Sequence, residues 1–518
     1  MSIGRKRPGS ANSPVNSFTR PFCPASLMRF SFLLFAFGFL VSTITAKTPN
    51  ILFIMTDQQI ADGLSSRMGR QYLHTPALDS LAARGTYFSR AYAPNPLCMP
   101  SRNSIFTGRF PHETGVTDNT PMYSGQRLDP GEFPALGTYF RAAGYRTGYF
   151  GKWHLCYDAK QPETHGFAEI DTQQKDAVTA ERAVAFLRAQ VPERPFLMVA
   201  SFLNPHNIAE YTRGQPLSNG PVGEPPALAS LPPAPANLGA PVAEPDSMTL
   251  IRRGYHANLR LFPVGNFPPS VWQAMRWGYY RMIEKVDAEI GRVLDALREQ
   301  GLEKDTLIVF VSDHGECGGA HGLAQKTVFY EESVRVPLIV CFPGAQEARL
   351  SDAFVNVGVD LLPTLLDYAG LAKPTRLPGL SLRAAAEGKP VSGWRDEVII
   401  GNHMSQGGKV AEVGFVPITE GRMVRTERYK YCVYLHGEQR ESLVDLQNDP
   451  GEMVDLAADP GYREIVLAHR ERLRRFGAAH GDTLVDALLA DDVGPRAFEH
   501  LTQPRRPTTP PTRGGEKE

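Results

Sequence analysis

The chain has 518 residues, too many for one small core and enough for a large α/β domain with a smaller partner. Lys plus Arg and Asp plus Glu number 55 each, so no global field draws the molecule to nucleic acid or to an acidic membrane. Any attraction for anions has to be local.

In chain order, the first element is "MRFSFLLFAFGFLVSTITA" at 28–46, with a basic start, an apolar run and a small residue at its end. This pattern predicts a secretory signal over 1–46, cleaved near Ala46, and the polar stretch ahead of it marks Met28 as the start codon. The apolar run is shorter than the ~20 residues a bilayer span needs, which argues against an uncleaved anchor. Export to the periplasm or the exterior is the expectation, with membrane contact through the signal alone. Removing the leader takes Cys23 and leaves Cys98, Cys156, Cys317, Cys341 and Cys432. An odd number in an exported chain suggests that one cysteine has another job.

Four short apolar runs stop abruptly at polar residues. They are "ILFIM" before Thr56-Asp57-Gln58, "YRTGYF" before Gly151-Lys152-Trp153-His154, "FLMVASFL" before Asn204-Pro205-His206-Asn207, and "LIVFV" before Ser312-Asp313-His314-Gly315. Such runs predict strands buried on both faces. Between them lie helical patterns: 76–85, opened by Pro76 and closed by Gly85, and 271–300, with an apolar stripe at Met275, Tyr279, Met282, Val286, Ile290, Val293 and Leu297 ahead of Gly301. The alternation predicts a large, mostly parallel sheet flanked by helices over 47–384. A Pro-rich insertion at 214–248 interrupts it, as a mobile cover, a lid or a plain surface loop. Strand patterns such as "EVIIG" and a last helix at 462–476 predict a smaller α+β domain over 385–493, followed by a Pro-rich disordered tail at 494–518.

In a sheet of this kind ligands bind beyond the carboxyl ends of the strands, and all four polar clusters sit at such ends. Asp57 with Gln58 and Asp313 with His314 therefore resemble two halves of one metal site, rich in oxygen and suited to a hard divalent cation. Cys98 precedes Pro100 at a predicted helix start, where free amide groups favour an anion, and Arg102 falls on the same face one turn on.

The stretch "CMPSRNSIFTG" resembles the signature of the type I sulfatases, a family with the alkaline-phosphatase-like fold. The resemblance extends along most of the chain, through "PNILFIMTDQQ", "TPALDSLAARGTYFSRAYA", "GYRTGYFGKWHL", "NPHN", "SDHGECGGAHGLAQK" and "SLVDLQNDPGEMVDLA". It implies oxidation of Cys98 to formylglycine (3-oxoalanine) by a formylglycine-generating enzyme during export. It also implies a cation, calcium first, held by Asp57, Gln58, Asp313, His314 and an oxygen of residue 98. A hydrated aldehyde can attack sulfur with one hydroxyl and, on losing the proton of the other, expel sulfate, an exit that a serine or thiol lacks. By the same resemblance Arg102 and Lys152 brace residue 98 and the sulfate oxygens, His154 takes the proton in the second step, and His206 and Lys326 contact the sulfate, one of them serving the departing oxygen. The implied activity is hydrolysis of an O-sulfate ester, such as that of a sulfated carbohydrate.

Two positions depart from the common family pattern. Gln58 stands where many members carry Asp, and His314 where many carry Asn, so the site has less charge and a softer donor, and magnesium or manganese also fits. The same pair occurs in relatives that cleave phosphonate monoesters and phosphodiesters, which makes such a hydrolase the second reading. A sulfated-glycan-binding protein without turnover is the third. Glu316, His321 and Cys317 near the proposed site have no assigned part, and the stretch 403–421, with the insertion, is expected to shape the substrate rim.

Overall fold

The computed structural model describes residues 48–498, apart from 266 and 406. The expected signal and the tail beyond 498 lie outside the described residues. The strands are β1 (Asn50–Asp57), β2 (Thr86–Phe88), β3 (Ala91–Tyr92), β4 (Arg146–Gly151), β5 (Glu169–Asp171), β6 (Phe196–Pro205), β7 (Thr306–Ser312) and β8 (Leu338–Cys341). They continue with β9 (Arg349–Ser351), β10 (Val355–Asn356), β11 (Glu397–Met404), β12 (Thr419–Thr426), β13 (Tyr429–Tyr434) and β14 (Glu441–Asp445).

Among the described residues an eight-stranded sheet runs in the order β5-β4-β6-β1-β7-β8-β2-β9. It is parallel except where β8 pairs antiparallel with β7 and β2. The four apolar runs form β1, β4, β6 and β7, which are neighbours in its centre. Alternate residues of β1 enter different cores: Ile51, Phe53 and Met55 on one face, Leu52 and Ile54 on the other. This two-sided burial explains why the runs carry no polar alternation.

The long helix spans Pro269–Glu299 and buries every residue of the expected stripe, and Gly301 just past it takes a φ of 67°. The helix predicted over 76–85 stops at Ala82. Gly85 serves close packing rather than a left-handed cap, because a Cβ there would stand 2.5 Å from Cys341 Sγ. Strands β11 to β14 form a four-stranded antiparallel sheet covered by the Arg463–His480 helix, with Val424, Tyr431, Leu443, Val466 and Leu473 buried between them. Backbone pairing continues past the predicted start of the tail, as Gly437 and Arg496 exchange two 2.8 Å bonds. The Pro-rich insertion is anchored, since His321 N donates to Asn237 O at 2.6 Å and Val242 bridges to Val454.

Candidate active site

Parallel pairing of Thr56 with Ser312 brings the ends of β1 and β7 together, so Asp57 and Asp313 lie side by side, both fully buried. Gln58 turns away with a φ of 71° and its N–H donates to Asp313 Oδ1 at 3.1 Å. At the end of β4, Gly151 has a φ of 104°, and a Cβ would fall 1.9 Å from Ser201 O, so only glycine lets this strand end approach β6. Lys152 follows at once, its N–H donating to Ser201 O at 2.8 Å. His206 follows the last residue of β6. Facing these ends is the Cys98–Thr107 helix, entered through extended Leu97, with Pro100 in its first turn and all ten residues buried.

The Cys98 sulfur lies 3.2 Å from His314 Nε2, 3.8 Å from Lys152 Nζ and 3.9 Å from Asp57 Oδ1. Asp57 Oδ2 pairs with Lys152 Nζ at 2.5 Å and with Arg102 Nη2 at 2.9 Å. Arg102 Nε reaches Asp313 Oδ2 at 2.7 Å, and its Nη1 donates to Ser201 Oγ at 2.8 Å and to Lys152 O at 3.1 Å. The guanidinium is thus engaged on the carboxylates and backbone. Its planar fork organises Asp57 and Asp313, whereas the resemblance had it bracing residue 98 and the sulfate. His154 and His206 both interact electrostatically with Cys98, and His206 Nε2 stands 4.0 Å from Asp57 Oδ1. Lys326 arrives from beyond the glycine-rich loop and donates to Gln58 Oε1.

Burial and the Asp57 carboxylate push the Cys98 thiol up, but Lys152, Lys326 and His314 outweigh them and hold it well below its ordinary value. Burial also opposes ionisation of Asp57, yet Lys152 and Arg102 hold it well below its ordinary value. His206 is pushed down to about 4 by burial and by the Lys326 and Lys152 ammonium groups, so its imidazole is neutral at physiological pH. His154 moves down for the same reasons, burial and Lys152, and its Nδ1 is buried without a partner. A neutral imidazole can take a proton.

The donor set suits a cation. His314 Nδ1 donates to Gly315 O at 3.0 Å, so in the neutral ring the Nε2 lone pair faces Asp57 Oδ1 at 3.9 Å and Asp313 Oδ1 at 3.7 Å. Burial opposes its protonation, but Asp313 and Cys98 raise its affinity for a proton, a positive charge that a cation can replace. Acceptors that converge in a buried pocket call for a positive charge between them. Asp57, Cys98, Asp313 and His314 place ligand atoms within 4.8 Å of one another. All ten residues singled out in the sequence therefore meet at one edge of the sheet. Three others were missed as parts of the site: Ser201, which bonds Arg102; Tyr279, whose hydroxyl donates to Gln58 O at 2.6 Å; and Glu316, which accepts from Gln58 Nε2. The serine inside the apolar run of β6 was a visible signal, and the sequence places Glu316 beside the site without a part. Cys98, Cys156, Cys317, Cys341 and Cys432 are all buried free thiols.

A family model described as Sulfatase matches residues 49–371, and one described as N-sulphoglucosamine sulphohydrolase, C-terminal, matches 319–478. The chain is 31% identical to a Delta 4,5-hexuronate-2-O-sulfatase of Bacteroides thetaiotaomicron, over 88% of this chain and 93% of that one. It is 28% identical to an N-acetylglucosamine-6-O-sulfatase of the same organism, over 80% of this chain and 84% of that one. Among solved structures, that of a 2-O GAG sulfatase superposes with a TM-score of 0.71 at 28% identity, covering 85% of this chain and 94% of the other. The phosphonate monoester hydrolase of Agrobacterium radiobacter superposes with a TM-score of 0.64 at 26% identity, covering 83% and 96%. Signature, strand-end cluster and these likenesses agree: the chain belongs to the type I sulfatases of the alkaline-phosphatase-like superfamily and is a sulfuric ester hydrolase.

Proposed function

We propose that this is an exported sulfatase that removes an O-sulfate ester from a sulfated carbohydrate, with formylglycine at position 98 and a divalent cation, calcium first, at the strand ends. The observation that carries the reading is the Cys98 side chain at a helix start, in contact with His314, Lys152 and Asp57 at once. Relatives named for hexuronate and N-acetylglucosamine sulfates support a glycan substrate. The segment at 28–46 supports export.

Asp57, Gln58, Asp313 and His314 would hold the cation, which would supply Lewis acidity at residue 98. Arg102 keeps the two carboxylates aligned. Lys152, already beside the sulfur, neutralises charge that develops on residue 98 and on the sulfate oxygens. His154 accepts the proton released at residue 98. Lys326 brings positive charge to the sulfate, and neutral His206 hydrogen-bonds the departing oxygen. Glu316 orients Gln58.

The test is mass spectrometry of the peptide containing residue 98 from the native export route, paired with kinetics on sulfated disaccharides, aryl sulfates and phosphonate monoesters. Formylglycine with the highest kcat/KM on a sulfate ester is expected, and an intact thiol in fully active protein would refute the nucleophile. A phosphonate monoester hydrolase is the second reading, favoured by the Agrobacterium likeness and by Gln58 and His314. A higher kcat/KM on the phosphonates would select it.

A further inference from the structure

We propose that the chain still carrying a thiol at position 98 is a zinc-binding protein, with Cys98 Sγ, His314 Nε2, Asp57 Oδ1 and Asp313 Oδ1 as a closed set of four ligands. Four of the six edges of this group are 3.2 Å from sulfur to imidazole, 3.9 Å from sulfur to Asp57, and 3.9 and 3.7 Å from imidazole to Asp57 and Asp313. A tetrahedron with bonds of about 2.3 Å to sulfur and about 2.0 Å to nitrogen and oxygen has edges of roughly 3.3 to 3.6 Å. These four edges need shifts of up to about half an ångström. The other two, from sulfur to Asp313 and between the carboxylates, lie within 4.8 Å, so Asp313, whose Oδ1 also accepts from Gln58 N and His314 N, has to close on the ion.

The chemistry of the donors selects the metal. Calcium and magnesium take oxygen ligands, whereas a thiolate with an imidazole favours zinc. The sulfur comes from an unconverted Cys98 and the nitrogen from His314, one of the two positions where this chain departs from the common pattern. Both groups are oriented in advance. His314 Nδ1 is held at Gly315 O, and the Asp57 carboxylate is held through Oδ2 by Arg102 and Lys152, which leaves Oδ1 toward the centre. Zinc binds the sulfur as the thiolate, any proton still on it passes to solvent, and no oxidation state changes. Conversion of residue 98 removes the sulfur and returns the site to hard ligands. The inference concerns the unconverted chain and does not depend on whether conversion follows.

The other group with metal-ligand spacing, His321, Glu332 and Glu452, is a poorer host. Glu452 is already paired with the Lys430 ammonium, and Asn237 bonds both His321 and Glu332.

The experiment uses the full chain from a host without the maturing enzyme, with the thiol at position 98 verified by mass spectrometry and bound metals stripped by a chelator. In excess calcium, titration with zinc or cobalt is expected to give one ion per chain. Cobalt should show a sulfur-to-metal charge-transfer band, and zinc absorption spectra a sulfur neighbour at about 2.3 Å. Cys98→Ala is expected to weaken binding by at least about a hundredfold, and His314→Asn by roughly ten- to a hundredfold. Cys98→Ser keeps the side-chain volume should the alanine variant unfold, and is expected to lose the preference for zinc over calcium. Zinc retained by Cys98→Ser at undiminished affinity, a metal shell without sulfur, or displacement of zinc by equimolar calcium overturns the proposal.

Discussion

At the scale of single residues, the site rests on charges that would be costly alone and are tolerable together. Asp57, Arg102, Lys152 and Asp313 are all nearly or wholly buried, and each ionised group touches an opposite one. His206 stands apart as a neutral imidazole among ammonium groups, with its side chain 23% exposed. If it serves the departing oxygen, His206→Ala should lower kcat/KM by about 10² to 10⁴ for a sugar sulfate and far less for an aryl sulfate with a good leaving group. Equal losses on both substrates would remove His206 from that step. Residue types announced the site: a cysteine before Met-Pro-Ser-Arg, and acids and imidazoles at strand ends. Lys326 and Glu316 were not placeable, because the glycine-rich loop between His314 and Lys326 has no periodicity to fix a direction. Their contacts with Gln58 depend on how that loop folds back.

At the scale of elements, strand ends and helix starts do the positioning. Asp176 opens the Asp176–Arg188 helix and accepts from Leu203 N at 2.7 Å and Asn204 N at 3.2 Å, holding the end of β6 that leads to His206. Burial pushes Asp176 up to about 7, against an ordinary value of 3.8. A folded-state value above the unfolded one favours the protonated form. Its stabilising contribution is full below about 4 and is lost as pH rises through about 7. Asp176→Asn should flatten that part of the pH dependence of the unfolding midpoint, and an unchanged slope would exclude Asp176 as its source. Gly151→Ala should do worse. Its Cβ meets a backbone oxygen that cannot move aside, so β4 must separate from β6 and carry Lys152 with it. Denaturant unfolding is expected to lose several kcal/mol, about the range of severe core changes, together with most activity. A fully active, equally stable variant would contradict the close approach. The stripe of the long helix was legible because burial repeats with the helical period. The end of the 76–85 helix was misjudged because Gly85 answers to Cys341, a neighbour in space rather than in sequence.

At the scale of the molecule, the antiparallel sheet clasps the loop that carries Lys326. Lys430 Nζ, on β13, donates to Phe329 O at 2.8 Å and pairs with Glu452, whose other oxygen accepts from Glu331 N at 2.7 Å. The Lys430 and Glu452 side chains are each 2% exposed, so Glu452→Ala leaves a buried ammonium with only Glu331, at 3.5 Å, and should cost about 2–3 kcal/mol in chemical denaturation. A loss below about 1 kcal/mol would mean that the clasp carries little of the fold. The cation should also act on the whole molecule. A ligand bound only to the native state stabilises it by about 2.7 kcal/mol at a hundred times its Kd. Stripping the divalent ion should therefore lower Tm, and calcium should restore it. A Tm indifferent to verified metal removal would place the cation outside the folded site.

Sequence alone determined the class of architecture and the chemical inventory. Apolar runs too short for helices, uniform rather than alternating, mean strands covered on both faces, and polar clusters at their ends mean a site along one edge of the sheet. Period and residue type are local properties, readable without coordinates. Tertiary structure alone decided that Arg102 spans both aspartates, that Lys326 and Glu316 meet at Gln58, and that the turn at Glu452 grips the loop that follows Lys326. Those contacts join residues far apart in the chain, and their geometry follows from how the sheet, the loops and the second sheet pack, which no local pattern encodes.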